Sequence, residues 1–273
     1  MILTETLLPQ LYRLAMRGTG RHGARSLGRL NAAVFPHGQR IRLAGGEGFF
    51  VPPDPHFFGY VIGHEDHVAE VIAHEVRPGD VCFDVGANIG YFAVQMAAKA
   101  GPAGRVVAYE VEHTNIAHLR RNAQLAAAHG LTIDVVHAAV SNAAGTLMLR
   151  RGAASTLHTV VRGEDASADA LTSVSIDDEV DRLGLTGPVG LIKVDVEGHE
   201  PFVLEGMRRT VEDGRIRAMI VEVSSGRVAE EVDAQLRAFG RRVARVTAWV
   251  DGAWRERSLT ALTHHTDVLV AFR

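Results

Sequence analysis

The sequence has almost no cysteine, which limits how the fold can be stabilised. Cys82 is the only cysteine among 273 residues, so the chain cannot form an internal disulfide. It lies in the apolar run Val81-Cys82-Phe83, where we expect a buried, unreactive thiol. A reducing compartment is compatible with this composition, and we predict a cytoplasmic location.

Long runs of like charge are also absent. The chain has 29 basic and 32 acidic residues, for a formal net charge of −3. Nucleic-acid binding needs a concentrated basic face, which this distribution does not provide. We therefore predict a small-molecule or glycan substrate and no nucleic-acid partner. No pattern bears on oligomeric state, so a homo-oligomer stays possible.

No apolar run is long enough to span a membrane. Near the N-terminus, Glu5 precedes any basic residue and Pro9 interrupts the apolar stretch. We therefore predict neither a signal peptide nor a transmembrane segment. The alternative is an amphipathic helix that packs on the domain or lies against a membrane surface. Four regularly spaced arginines keep the membrane surface possible: Arg17, Arg21, Arg25 and Arg29.

The apolar periodicity divides the chain into two parts. Residues 1–64 are predicted to form an extension or cap, with helix and two short strands around Gly45-Gly46. Residues 65–273 should form one domain, in which helices, one of them predicted over residues 199–211, alternate with short apolar strands. These strands are predicted at 81–85, 105–109, 133–136, 191–194 and 218–223. Such alternation implies right-handed crossovers and a doubly wound α/β fold with a mostly parallel sheet.

Two further strand predictions concern the insertion and the C-terminal segment. Residues 145–149 and 173–176 flank a polar stretch between the third and fourth core strands, which predicts a β insertion near the substrate end. A surface loop without a role is the alternative for its polar tip. Residues 267–272 should form the strand that finishes the sheet edge.

The strongest local signal is a glycine turn after the first core strand. Residues 84–90 read Asp-Val-Gly-Ala-Asn-Ile-Gly, and glycines let the backbone turn tightly and approach a ligand. The spacing differs from the Gly-x-Gly-x-x-Gly of dinucleotide sites. The acid in the turn would repel a pyrophosphate and suit a cationic amino group. A turn that merely connects strand to helix is the structural alternative.

Acidic residues follow two other strands. Glu110 ends the second strand, where a carboxylate reaches ribose hydroxyls in doubly wound folds. Residues 192–200 read Ile-Lys-Val-Asp-Val-Glu-Gly-His-Glu and end the fourth strand, where several ionisable groups could supply a general base. Helix capping is the competing explanation, above all for Glu200. Acids cluster here as in metal sites, yet no second ligand group is apparent and we predict no metal.

These motifs together resemble the FkbM family of methyltransferases. The resemblance covers roughly residues 60–223 and rests on the glycine turn, Glu110, Asn122, the Lys-x-Asp-x-Glu-Gly-His-Glu pattern from Lys193, and Gly206. It implies S-adenosylmethionine as cofactor, a class I, Rossmann-like methyltransferase fold with a seven-stranded sheet, and O-methylation of sugars, polysaccharides or polyketide-type natural products. Residues 111–113, Val-Glu-His, depart from the Glu-Pro common in such proteins.

The resemblance also assigns roles to residues. The catalytic candidates, any of which could remove the hydroxyl proton, are Asp195, Glu197 and His199. The residues implied to bind the methionine part, the ribose and the adenine are Asp84, Gly86, Ala87, Asn88, Gly90, Glu110, Val111, Ala139 and Ser141. A lid over the cofactor is predicted from His56, Tyr60, His64 and Glu65.

Two other functions stay open from the sequence. A non-catalytic protein could keep the cofactor site as a scaffold. A nicotinamide-dependent oxidoreductase shares the fold, but it requires a third glycine that this turn does not have at the usual place.

Overall fold

The computed structural model describes residues 20–43, 45–150, 159–161 and 169–273. The predicted N-terminal amphipathic segment up to residue 19, Ala44 and most of the polar stretch between 151 and 168 lie outside these residues. Within the described ranges, no helix has both the length and the apolar character that crossing a membrane requires.

Helices and strands alternate through most of the described chain. The helices are α1 (Gly20–Val34), α2 (Phe58–Ile62), α3 (Asp66–Glu75), α4 (Tyr91–Ala100), α5 (His113–Ala127), α6 (Ile176–Arg182), α7 (Glu200–Glu205), α8 (Arg208–Glu212) and α9 (Arg227–Ala238). The strands are β1 (Gln39–Arg42), β2 (Gly48–Val51), β3 (Val81–Val85), β4 (Arg105–Glu110), β5 (Ile133–His137), β6 (Ala139–Val140), β7 (Gly145–Arg150), β8 (Thr159–Val161), β9 (Asp169–Val174), β10 (Val189–Val194), β11 (Ile216–Val223), β12 (Val243–Val250), β13 (Ala253–Arg255) and β14 (Thr266–Phe272).

The central sheet has the strand order β13-β12-β14-β11-β10-β3-β4-β5. The strands from β5 to β11 in this order are parallel, whereas β14 runs antiparallel to β11. The seven strands from β12 to β5 form the sheet of a class I methyltransferase, which confirms the predicted fold. Strand β13 adds an eighth strand as a hairpin with β12.

Successive residues of the core strands pack on opposite faces of the sheet. Cys82 belongs to the hydrophobic cluster that contains the buried residues of α3, α4 and α5. Phe83 belongs to the cluster that contains those of α6, α7, α8 and α9. Because side chains alternate along a strand, both faces are covered by helices, as in a doubly wound fold.

The prediction that residues 267–272 finish the sheet edge was wrong. Strand β14 lies between β11 and β12, and the hairpin of β12 and β13 forms the edge. Val268 and Val270 of β14 are fully buried, as expected for an interior strand. The order of strands depends on tertiary pairing, which the apolar pattern of one segment does not specify.

The predicted helix over residues 199–211 is divided into α7 and α8. The carbonyl of Gly206 accepts a hydrogen bond from the amide of Asp177, at 2.9 Å. The side chain of Asp177 accepts in turn from the amide of Thr210, at 2.8 Å. A Cβ at position 206 would collide with the carbonyl oxygen of Ser141. This close approach to a neighbouring loop interrupts the helix.

The predicted β insertion forms a separate sheet with the order β6-β9-β7-β8. Strand β7 pairs antiparallel with both β8 and β9, and the short strand β6 pairs parallel with β9. The tip, including residues 162–168, lies outside the described residues. Ile176, predicted to end the second inserted strand, begins α6 instead.

The hairpin of β1 and β2 packs in the apolar core and is also hydrogen-bonded to the domain by one buried side chain. Asn122 of α5 accepts from the amide of Phe50 at 2.7 Å and donates to its carbonyl at 3.0 Å. The same amide group donates to the carbonyl of Ile89 at 2.8 Å. Asn122 therefore connects the hairpin with the glycine turn.

The division of the chain at residue 64 stays a prediction.

Replacing Asn122 with alanine should destabilise the protein strongly. The variant leaves three backbone groups buried without their partner, at a cost of about 3 kcal/mol or more in unfolding free energy. Chemical denaturation of the ligand-free protein measures this loss. Gln124→Ala, an exposed change on the same helix, should change stability by less than about 0.5 kcal/mol. Equal stability of the two variants would contradict the role of Asn122.

Candidate active site

The glycine turn lies at the carboxyl end of β3, the central strand of the parallel part of the sheet. Gly86, Asn88 and Gly90 have φ values of +81°, +52° and +89°, a backbone region that glycine enters without steric penalty. A Cβ at Gly86 would collide with the carbonyl oxygen of Asp195. Position 86 therefore needs glycine because the loops after β3 and β10 touch there.

Glu110 at the end of β4 organises the glycine turn from one side. Its carboxylate accepts hydrogen bonds from the amides of Asn88 at 2.7 Å, Val111 at 2.8 Å and Glu112 at 2.8 Å. Burial raises the pKa of Glu110, and these three amides oppose the rise. The carboxylate thus fixes the turn and also faces the cavity described below.

A buried cation lies beneath the turn. Lys193 of β10 is 3% exposed, and its Nζ donates to Oδ2 of Asp195 at 2.9 Å. Burial lowers the pKa of Lys193, but Asp195, Asp84 and Glu65 raise it more strongly. The ammonium therefore stays charged and holds the pKa of Asp195 below its usual range, against the burial that raises it.

Asp84 is a buried acid beside this cation. Neither of its carboxylate oxygens has a hydrogen-bond partner of normal geometry among the described residues. Burial raises the pKa of Asp84 to about 6, although Lys193 acts in the opposite direction. A carboxylate left without donors has a large desolvation cost.

The loop after β10 is strained and fixed in place. Glu197 has φ +52° and Gly198 has φ +97°. Glu200 accepts from the amides of Val196 at 3.2 Å and Gly198 at 3.0 Å. Its carboxylate therefore supports the loop that precedes α7, whereas the side chain of Glu197 is exposed.

The side chain of His199 is buried behind the same loop. Its Nε2 lies 2.9 Å from Oγ of Ser141, and its ring packs against Phe202 with the ring centres 4.7 Å apart. Ser141 itself is 1% exposed. The contact links the loop after β10 with the segment that follows β6.

One cavity of about 250 Å³ opens at these strand ends. The predicted residues that line it are Gly86, Asn88, Glu110, Val111, Ala139, Asp195, Glu197 and His199, together with the predicted lid residues His56, Tyr60, His64 and Glu65. The other predicted residues lie behind its wall: Asp84, Ala87, Gly90 and Ser141. The structure therefore brings most of the candidates to one place, and their roles stay proposals.

Two polar residues of the cavity wall are not among the site residues predicted from the sequence. Glu222 near the end of β11 lines the cavity beside Asp195, and Asn115 of α5 lines it near Glu110. Glu110 is predicted as a site residue because it is an acid at the end of a strand, and Glu222 shows the same pattern near the end of β11. Asn115 carried no comparable signal, because polar residues are common on helices.

Most of the residues that line this cavity lie in a segment that matches a known protein family. The family described as "Methyltransferase FkbM domain" matches residues 84–243. The chain belongs to the FkbM methyltransferase family. The matched region begins at Asp84 of the glycine turn and includes both Glu110 and the Lys193–Glu200 pattern. The FkbM-family chain is thus an enzyme, a methyltransferase, as the sequence predicted.

Two curated relatives are similar to this FkbM methyltransferase. Hexuronic acid methyltransferase AglP of Haloferax volcanii is 29% identical over 165 residues, which cover 59% of this chain and 63% of AglP. The 31-O-demethyl-FK506 methyltransferase FkbM of Streptomyces tacrolimicus is 33% identical over 201 residues, covering 61% of this chain and 74% of the relative. The match therefore spans less than two thirds of the length of AglP.

Solved structures give more distant matches. Methyltransferase FkbM from Methylobacillus flagellatus has a TM-score of 0.49 at 14% identity, over 79% of this chain and 54% of that one. An O-methyltransferase from Bacillus cereus in complex with SAH has a TM-score of 0.45 at 13% identity, over 100% of this chain and 99% of that one.

Replacing Asp84 with asparagine should flatten the pH dependence of stability. The folded-state pKa of about 6 lies above the ordinary value of 3.8, so ionisation of Asp84 favours the unfolded chain. The wild type should therefore lose about 3 kcal/mol of unfolding free energy through this group as the pH rises from about 4 to about 6.

Denaturation of the ligand-free protein at pH 4 and pH 7 measures the effect, with Asp134→Asn at a partly exposed ion pair as control. The loss with rising pH should be smaller in Asp84→Asn than in the wild type and in the control. The same loss of unfolding free energy in all three proteins would show that ionisation of Asp84 does not destabilise the folded protein.

Proposed function

We propose that this methyltransferase uses S-adenosylmethionine to methylate a hydroxyl group of a sugar, a polysaccharide or a polyketide-type natural product. The observation that carries the proposal is the placement of acids around the glycine turn. Strand β3 lies between β4 and β10, so Glu110 and Asp195 flank the turn on opposite sides. One acid can hold the cofactor while the other meets the acceptor.

The relatives support the acceptor class. One is named as a methyltransferase of hexuronic acid, which is a sugar acid. The other is named for the 31-O-demethyl form of FK506, so its methyl group goes to an oxygen. The first name supports a sugar-type acceptor and the second supports transfer to an oxygen, and the proposal combines the two.

The residues present fit S-adenosylmethionine. Its ribose hydroxyls need an acceptor such as the Glu110 carboxylate, and its adenine needs apolar surface such as Val111 and Ala139, all in one cavity. Its amino and sulfonium groups are cationic. Neither carboxylate oxygen of Asp84 has a hydrogen-bond partner of normal geometry among the residues that the structure describes, so a cation near the turn would offset part of its desolvation cost.

Asp195 is the group that we assign to the acceptor hydroxyl. It is 29% exposed and lines the cavity, and Lys193 keeps its pKa low, so it is ionised at neutral pH. An ionised carboxylate can accept a hydrogen bond from the hydroxyl and then its proton. Glu197 extends into the cavity from the strained loop, and such strain is common at functional sites.

The remaining task of the chain is to align the two reactants and to exclude water. Bound S-adenosylmethionine supplies a methyl group that its sulfonium already activates. Tyr60 and Phe57 contribute apolar rings to the cavity wall. Their rings are stacked, with centres 6.1 Å apart, so this wall is a packed aromatic surface that can shield the site from solvent.

The cofactor assignment is tested by calorimetry with S-adenosylmethionine. The wild type should bind it, and Glu110→Gln should bind it roughly 10–100-fold more weakly, since hydrogen bonds to charged groups contribute about 1.5–3 kcal/mol. Glu230→Gln, an exposed change on α9, should bind as the wild type does. No binding to the wild type at millimolar cofactor would refute the proposal.

The catalytic assignment is tested by the double variant Asp195→Ala, Glu197→Ala. Transfer of a labelled methyl group to acceptors fractionated from cell extract should fall by about 100-fold or more, while the cofactor still binds. Mass analysis of the labelled product identifies the acceptor. A non-catalytic scaffold predicts no transfer by the wild type, and unchanged transfer by the double variant would overturn the role of these acids.

A further inference from the structure

A row of three acids crosses the sheet at the carboxyl ends of the parallel strands. Val194 of β10 pairs with Val221 of β11, so the next positions, Asp195 and Glu222, are neighbours. Glu222 pairs directly with Asp267 of the antiparallel strand β14. Cross-strand neighbours of this kind project to the same face and interact. The row therefore leads from the cavity into the interior of the sheet.

The first two acids share a proton. Asp195 and Glu222 follow paired residues of adjacent strands and both line the cavity, so their side chains are placed to form a hydrogen bond, which also shifts both of their pKa values. Two carboxylates can bond directly only if one of them is protonated. Asp195 also accepts from Lys193 at 2.9 Å, which favours the ionised form of Asp195. The proton therefore resides on Glu222.

The third acid has a different partner. The carboxylate of Asp267 forms a hydrogen bond with Nε2 of His67, at 2.7 Å. The side chain of His67 is 14% exposed and that of Asp267 is 9% exposed. The ring of His67 is stacked on Trp249, with centres 4.5 Å apart and planes 10° apart. Asp267 is therefore held in place from the side remote from the cavity.

We propose that Glu222 is a positioning residue, which donates its proton in a hydrogen bond to Asp195 and so holds that carboxylate in the orientation that meets the acceptor hydroxyl. This inference rests on the proposed function, since it concerns the acid assigned there as proton acceptor. In the reaction the acceptor oxygen would take the methyl group as its bond to the donor sulfur breaks, and the hydroxyl proton moves to Asp195, which releases it to solvent before the next cycle. Glu222 keeps its own proton throughout, so it neither gains nor loses one over the cycle.

The charges around the pair keep Glu222 protonated at neutral pH. Burial, Asp195 and Asp267 together raise the pKa of Glu222 to about 9, while Lys193 opposes them. Above this pH the hydrogen bond becomes a repulsion between two carboxylates, and Asp195 loses its support. Activity should then decline although Asp195 itself is ionised.

Groups on other elements also face this row. His64 before α3 lowers the pKa of Asp195, and it is paired with Glu65 at 3.1 Å. Asp84 of β3 adds negative charge near Lys193. The pKa of Lys193 lies well above its usual range, so this ammonium does not titrate in the range where Glu222 does.

The test is a set of pH profiles of methyl transfer at saturating cofactor. Wild-type kcat should fall above about pH 9, to roughly a tenth at pH 10, where about a tenth of Glu222 keeps its proton. Glu222→Gln preserves a donor that cannot ionise, so it should keep activity near neutral pH and lose the alkaline decline. Glu222→Ala removes the donor and should lower kcat at every pH with little change in KM.

Two further variants separate positioning from a general structural role. Asp267→Asn removes a negative charge beside Glu222 and should move the alkaline decline to lower pH. Glu230→Gln is the matched control and should leave the profile unchanged. An alkaline decline in Glu222→Gln at the same pH as in the wild type would overturn the proposal.

A second readout does not depend on methyl transfer or on bound cofactor. Infrared difference spectra between the ligand-free wild type and Glu222→Gln should show a protonated carboxyl band at neutral pH that disappears near pH 9. If the band is present but the protein binds no cofactor, the proposed function is wrong, whereas the proton shared between Asp195 and Glu222 is confirmed. Absence of the band at neutral pH would refute the shared proton itself.

Discussion

The buried ammonium of Lys193 is the interaction on which the site depends. It lies among Asp84, Asp195 and Glu65, each of which raises its pKa. Removing this charge would leave three acids in a poorly solvated space without compensation, at a cost of several kcal/mol. The strand β10 carries the cation, and its neighbour β3 carries Asp84. The electrostatic balance of the site is therefore part of the stability of the sheet.

The glycine turn and Glu110 could be predicted because their signals are local. Each is a strand-end residue in a pattern that can be recognised along the chain, and the structure joins them through the bond from the amide of Asn88 to Glu110. Glu222 carries the same strand-end signal, but its importance comes from two neighbours that are distant in sequence, and the signal does not reveal them. Asp195 and Asp267 reach it only through the strand order β10-β11-β14.

The same reasoning explains two of the errors in the predicted fold. Neither the interior position of β14 nor the break between α7 and α8 is encoded in the segment concerned. The first depends on pairing with β11 and β12, and the second on the contact between Gly206 and the loop at Ser141. Apolar periodicity predicts that an element exists, whereas tertiary contacts determine where it lies and where it ends.

The interior position of β14 has a consequence for synthesis on the ribosome. Strand β12 enters the central sheet only through β14, which follows it in the chain. Until residues 266–272 emerge, the outer edge of β11 exposes unpaired backbone groups, and such edges favour association with other chains. The nascent chain therefore keeps this open edge, and the tendency to associate that goes with it, until β14 emerges and pairs with β11.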